Sequence, residues 1–173
     1  MSNLRLINET TGTSVSNISV TDVFSSDYDI YKIVISNVDG ASTSHWTKLR
    51  LINSSGSIVS ASNYDFAMLE TKAWDGTSEN KRTSQSSFEY IFIDSDSNVG
   101  AGGVGYIFNP TSTSSYTFTL GQSQAFYSTN GGEGTKYIGA LKQTASMSGF
   151  QLLRTSGSYD TITIRTYGLR VDS

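Results

Sequence analysis

The sequence predicts an all-β fold, an antiparallel β-sandwich of jelly-roll type with about ten strands. Three observations carry that reading. Ser and Thr fill more than a quarter of the 173 residues, while Pro occurs once and Cys never. The apolar residues stand in short alternating runs such as Ser115-Tyr116-Thr117-Phe118-Thr119-Leu120-Gly121, the pattern of half-buried strands with one face on a core and one in water. Ser, Gly, Asn and Asp punctuate the runs as turn residues, whereas Thr and the aromatics suit a pleated surface.

Strand-forming runs follow one another at residues 3-7, 15-23, 29-37, 46-52, 57-60, 65-72, 87-94, 104-109, 115-121, 136-142, 149-154 and 161-170. Turn chemistry separates them at Val38-Asp39-Gly40, Asn53 to Ser57, Asp94 to Gly103, Asn109-Pro110-Thr111, Asn130-Gly131-Gly132 and Ser156-Gly157-Ser158. Residues 64-73 could instead form a short helix, because Tyr64, Met68 and Glu70 to Lys72 suit one. The runs Ile30 to Ile35 and Phe88 to Ile93 are apolar on both faces, as central strands are, or strands whose outer face meets another subunit. Tyr-Asp recurs just before an apolar segment at Tyr28-Asp29, Tyr64-Asp65 and Tyr159-Asp160, at unequal intervals. Repeated chemistry at strand starts and coincidence both account for it.

The length suits one domain spanning residues 1-173, large enough for a core without metal or disulfide staples. Hydrophobic content is low at 36%, but 10 Tyr, 8 Phe and 2 Trp each bury a large area and can build that core. The net charge of -3 and the scattered basic residues argue against nucleic acid as a partner. Lys81-Arg82, the one adjacent basic pair, reads as a solvated loop. No run approaches the ~20 apolar residues of a membrane helix, so no membrane association is expected. The stretch Met1 to Glu9 lacks the basic and apolar regions of a signal peptide, so no export by a cleavable signal is expected.

No motif supplies a convincing catalytic or cofactor site, and the expectation is a non-enzymatic protein without cofactors or metals. Gly100-Ala101-Gly102-Gly103-Val104-Gly105 matches G-x-G-x-x-G, but Tyr106-Ile107-Phe108 continues as strand where a dinucleotide site needs a helix, so the run reads as a loop between strands. Asp94-Ser95-Asp96-Ser97-Asn98 opens like a calcium loop, but Val99 and Gly105 fall where Gly and a bidentate Glu are required. His45, the only histidine, reads as a surface residue, and zinc lacks its usual nitrogen and sulfur donors. Glycosidase chemistry needs two carboxylates about 5 to 10 Å apart, and sequence is silent on such a pairing among 15 acidic residues. Trp74, in Lys72-Ala73-Trp74-Asp75-Gly76, is the candidate contact residue: an indole beside a turn can stack on a sugar ring or anchor a protein partner. Phe126, Tyr127 and Tyr137 are further aromatics near the Asn130-Gly131-Gly132 loop.

Three stretches, Phe24-Ser25-Ser26-Asp27-Tyr28-Asp29-Ile30-Tyr31-Lys32-Ile33-Val34-Ile35-Ser36-Asn37-Val38, Leu49 to Ser57 and Asp160 to Leu169, together with Tyr106-Ile107-Phe108-Asn109-Pro110, resemble small virion proteins from tailed phages of marine bacteria. The resemblance implies a sandwich or jelly roll on a virion exterior, with no catalytic residues carried across. It fits the missing signal peptide and Cys, since virions assemble in the host cytoplasm. One compact domain without a heptad-patterned stem points to capsid decoration, with the major capsid protein or other virion proteins as partners and a homotrimer as the oligomer. A tail-fibre or baseplate adhesin and a carbohydrate-binding module contacting host surface glycan are the alternatives.

Overall fold

The computed structural model describes residues 3–40, 46–93, 100–127 and 130–170. Among them are twelve strands and no helix. In chain order these are β1 (Leu4–Val15), β2 (Asn17–Val20), β3 (Ile30–Gly40), β4 (Trp46–Asn53), β5 (Tyr64–Lys72), β6 (Gly76–Gln85), β7 (Phe88–Ile93), β8 (Ala101–Phe108), β9 (Thr117–Tyr127), β10 (Gly131–Leu141), β11 (Met147–Arg154) and β12 (Tyr159–Leu169). An eight-stranded sheet runs β1-β12-β3-β8-β9-β10-β5-β6, and a four-stranded sheet runs β2-β11-β4-β7. Every pairing is antiparallel.

That order is a jelly roll with additions. Take β2 as the first of eight positions and β11 as the last, and let the meander β8-β9-β10 count as the seventh. The small sheet then reads first, eighth, third, sixth, and the large sheet second, seventh, fourth, fifth, which is the double Greek key of that architecture. Strands β1 and β12 extend the large sheet beyond β3.

The core lies between the sheets and is built from in-phase apolar residues. Ile33 and Ile35 of β3, Leu49 and Leu51 of β4, Phe88 and Phe92 of β7, Phe150 and Leu152 of β11 and Ile162 and Ile164 of β12 are all buried. The Tyr-Asp segments do share strand-start chemistry on their tyrosine side. Tyr64 and Tyr159 begin β5 and β12 fully buried, and Tyr28 lies buried just before β3. Burial of a phenol requires a partner for its hydroxyl. Tyr64 Oη accepts from the Leu51 N–H at 3.0 Å and donates to the Val59 carbonyl at 2.8 Å, and Tyr159 Oη lies 2.8 Å from Thr47 Oγ1. Asp65 caps no turn of its own, because its Oδ1 accepts from the Ser84 N–H at 2.8 Å and pairs with Lys142 at 3.0 Å.

Several elements differ from the sequence pattern, each for a physical reason. Residues 64-73 form strand β5 and its turn rather than a helix, because Tyr64, Phe66 and Met68 alternate onto the core. Strand β6, invisible to hydrophobic patterning, is polar and exposed along almost its whole length, being the outermost strand of the large sheet. Lys81-Arg82 therefore stands in a strand and not in a loop. Residues 57-60 contribute only an isolated bridge, Ile52 to Ile58. Val38-Asp39-Gly40 is not a turn but the end of β3. Of the two doubly apolar runs, β3 is central, whereas β7 is the edge of the small sheet and gains its cover by packing on β5, β9 and β10 of the other.

The glycine run belongs to β8 and is no loop. Gly103 of the run, with Gly139 of β10, makes room for β7: an added Cβ at Gly103 would lie 2.5 Å from Phe92 Cδ1, and one at Gly139 would lie 2.6 Å from Phe88 Cδ1 and 3.1 Å from Thr119 Cγ2. Ala would normally gain about 0.5–1 kcal/mol over Gly within a strand, but overpacking costs about 1–3 kcal/mol where neighbours cannot yield. Phe88 is 1% exposed and cannot yield. Gly139→Ala is expected to lower stability by about 1–2 kcal/mol in urea denaturation.

Candidate functional site

The strand that best displays alternation has its faces reversed. Along β9, Thr117 and Thr119 point inward at 1% and 4% exposure, while Phe118 and Leu120 point outward at 43% each. Two of the polar residues on the inner face, Thr119 and Ser123, have buried partners there. Thr119 hydrogen-bonds the Tyr137 hydroxyl, whose ionisation is pushed well up by burial, and Ser123 Oγ lies 2.7 Å from Thr135 Oγ1. The apolar residues are left to the outside.

Register assembles those outward residues into a band. One row runs Leu4, Leu169, Ile30, Phe108, Phe118, Ala140 across β1, β12, β3, β8, β9 and β10. The next runs Leu6, Tyr167, Lys32, Tyr106, Leu120, Ile138 and reaches Ala67 of β5. Tyr106 and Phe108 stack at 6.4 Å between centroids, and Ile138 is 62% exposed. Seven strands at about 4.8 Å spacing make the band roughly 30 Å long, and two rows make it roughly 13 Å wide, or about 400 Å². Lys32 is the one charged residue within it, and an otherwise apolar patch of that size marks an interaction surface. Charges border it: Arg165, which bonds Glu9 at 2.6 Å, and Lys136 and Glu79 stand in the next row along one long side, and Lys81 stands beyond Ala67 at the β6 end. An apolar centre with a polar rim is the anatomy of a protein interface.

A second feature lies at one end of the sandwich. The inner face of β5 continues in phase from Tyr64, Phe66 and Met68 to Glu70 and Lys72, so the core ends in charge. Glu70 meets Glu133 of β10, and Trp46, Trp74, Tyr127 and Asn130 complete a pocket of about 170 Å³. Trp74 sits in the turn between β5 and β6, 39% exposed, its ring edge-on to Tyr127 at 5.8 Å and 90°. The expected contact residue therefore lines a pocket. Of the further aromatics, Tyr127 lines it too, Phe126 stands exposed on the outer face, and Tyr137 is core. The charge in phase with a core strand was the signal for Glu70. Nothing in the pattern pointed to Glu133. His45 and Asp94 to Asn98 lie outside the described residues.

The two glutamates share a hydrogen bond and hence a proton. Burial, then the Glu70 hydrogen bond and charge, push Glu133 up to about 8. Burial also works to raise Glu70, but hydrogen bonds from Glu133, Ser78 and Lys72 outweigh it and hold that carboxyl below its ordinary value. Lys72 Nζ lies 2.9 Å from Glu70 Oε2. Carboxylates in hydrogen-bond contact are closer than the about 5 Å needed to seat a sugar carbon between them, let alone the wider inverting spacing. The pair does not fit a glycosidase.

Because the Glu133 carboxyl holds its proton more tightly folded than unfolded, its contribution to stability is greatest below the unfolded value and fades as pH rises toward about 8. Glu70, shifted the other way, contributes above its unfolded value and fades as pH falls through it. Melting temperature is expected to fall between pH 5 and about pH 8, and Glu133→Gln, which keeps the hydrogen bond to Glu70, is expected to flatten that slope. An unchanged slope in the variant would assign the dependence elsewhere.

No family model matches the chain, and no curated protein matches it. Among solved structures, the chain aligns with the CBM2 module of the evolved Dit of Lactobacillus casei BL23 phage J-1 at 10% identity and a TM-score of 0.20, covering 94% of this chain and 76% of that one. A TM-score of 0.20 lies at the level of unrelated folds.

Proposed function

We propose that this chain is a non-enzymatic structural protein of a phage virion's exterior, and specifically a capsid-decorating protein that seats on the shell through the outer face of its eight-stranded sheet. The observation that carries the reading is the two-row apolar band from β1 to β5, bordered by charge along one side and at the β6 end. Its roughly 400 Å² match the apolar centre of a standard interface, in which each partner contributes about 800 Å² including its rim. The occupant is a shell subunit, with other virion proteins as neighbours and the decorating protein itself as a homotrimer. The residue likeness to marine-phage virion proteins supports the setting, and the spacing of Glu70 and Glu133 supports a role by contact rather than by bond-making.

Copy number per particle tests it. Gel densitometry of purified virions is expected to give hundreds of copies in fixed ratio to the major capsid protein. A count near six or twelve would replace the shell with the tail and make the band the seat of an adhesin.

A further inference from the structure

We infer that the pocket at the end of the sandwich is a binding site for one ring of a neutral saccharide, formed by Trp46 and Trp74 with Tyr127 as walls and by Glu70, Glu133 and Lys72 as its polar floor. The site is independent of the outer face, since these residues belong to the inner face of the large sheet, to the turn before β6 and to the start of β4.

Size, walls and floor point to the same class of ligand. About 170 Å³ falls short of the pockets that enclose drug-sized ligands and suits one ring with its neighbours outside. Trp74 is held edge-on to Tyr127 and keeps 39% exposure, so an indole is presented at the mouth at little entropic cost. Aromatic faces of this kind cover the C–H surface of a sugar ring. The floor supplies acceptor oxygens in Glu70 and Glu133, whose shared proton lies between them, and a cationic donor in Lys72, and Asn130 offers both at the rim. Hydroxyl groups, each donor and acceptor, are the complement of that mixture. Aromatic walls beside carboxylates would also suit a quaternary ammonium ion. Lys72 already neutralises Glu70 at 2.9 Å, however, and Glu133 carries a proton at neutral pH, so the floor has no net negative charge to spend on a cation. An acidic sugar would find no net positive charge on that floor and, as pH rises and Glu133 loses its proton, would be repelled.

The test is direct because the chain's two tryptophans both line this pocket, so its indole fluorescence reports on nothing else. Titration with glucose, galactose, mannose and N-acetylglucosamine, each to high millimolar concentration, is expected to shift or quench that emission saturably for at least one of them. Saturation-transfer NMR is expected to place the same ring against aromatic protons. Trp74→Ala, at an exposed turn, is expected to keep the melting temperature within a few degrees and to weaken binding at least about tenfold. Glu133→Gln keeps a donor and is expected to bind at neutral pH. No response to any of the four sugars, or binding that survives Trp74→Ala unchanged, or a response to tetramethylammonium in their place, would overturn the assignment. None of these outcomes bears on the shell seat, which the copy number tests separately.

Discussion

Leu120→Asp combined with Ile138→Asp is expected to abolish attachment to the shell while leaving the domain folded. Both side chains lie on the outer face, at 43% and 62% exposure, directly paired across β9 and β10 in the most exposed part of the apolar band. Neither touches the buried core, so the folded state loses little, about 0.5 kcal/mol per exposed substitution. An interface loses far more. Central apolar anchors cost about 2 kcal/mol or more each when removed, and two carboxylates desolvated against a shell cost further. Even with incomplete additivity, affinity for shells stripped of the protein is expected to drop at least about 100-fold. Lys81→Glu at the rim is the control, with a small loss that grows at low salt. If the double variant binds shells as well as the parent, the outer face is not the seat.

Tyr64→Ala is expected to produce the largest loss of stability of any single truncation. Tyr64 is fully buried, its ring meets Phe88 edge-on at 4.8 Å and 88°, and its hydroxyl bridges Leu51 of β4 to Val59. It thus ties β5 of the large sheet to β4 of the small one. Burial pushes its ionisation up to about 12, so the hydroxyl stays a donor through any ordinary pH. Removing a buried aromatic costs about 3–5 kcal/mol, which is a large share of the about 5–15 kcal/mol that holds a domain of this kind together. Tyr64→Phe isolates the hydroxyl. The ring remains, but the buried Leu51 N–H and Val59 carbonyl lose their partner, at a cost of about 1–3 kcal/mol. Chemical denaturation of the pair separates packing from hydrogen bonding. Equal losses in the two variants would mean that the ring contributes nothing of its own.

The fold was legible wherever alternation and burial agree. Tyr31, Ile33 and Ile35 of β3, Leu49 and Leu51 of β4, and Tyr64, Phe66 and Met68 of β5 alternate onto the core, and period two finds them. Alternation says that a strand has two faces, not which of them is inside. In β9 the inner face carries Thr119 and Ser123 because Tyr137 and Thr135 satisfy their hydroxyls there. The decision was made by residues on another strand. Strand β6 has no pattern at all, since an edge strand in water needs only a partner's ladder. Asn53 to Ser57 did read correctly as a turn: Asn53 Oδ1 accepts from the Ser55 and Ser57 N–H groups, and Gly56 takes a φ of 79°.

The candidate surfaces were less legible because both are products of register. Trp74 stood out as an indole beside a turn, but its pocket needs Trp46 from the other sheet and Glu133 from a strand some sixty residues away. The band needs seven strands aligned to the residue, and a slip of one in β9 would turn Phe118 and Leu120 inward. Register of that kind is set by pairing across the sheet, and no single run of residues encodes it.

Hydroxyl-radical footprinting of the protein on intact virions, compared with the free chain, probes the outer-face seat most directly. Phe118, Leu120, Ile138 and Tyr106 are expected to be oxidised readily in the free protein and strongly protected on the particle, with Trp74 labelled equally in both. Equal labelling of the four band residues in both states would contradict it.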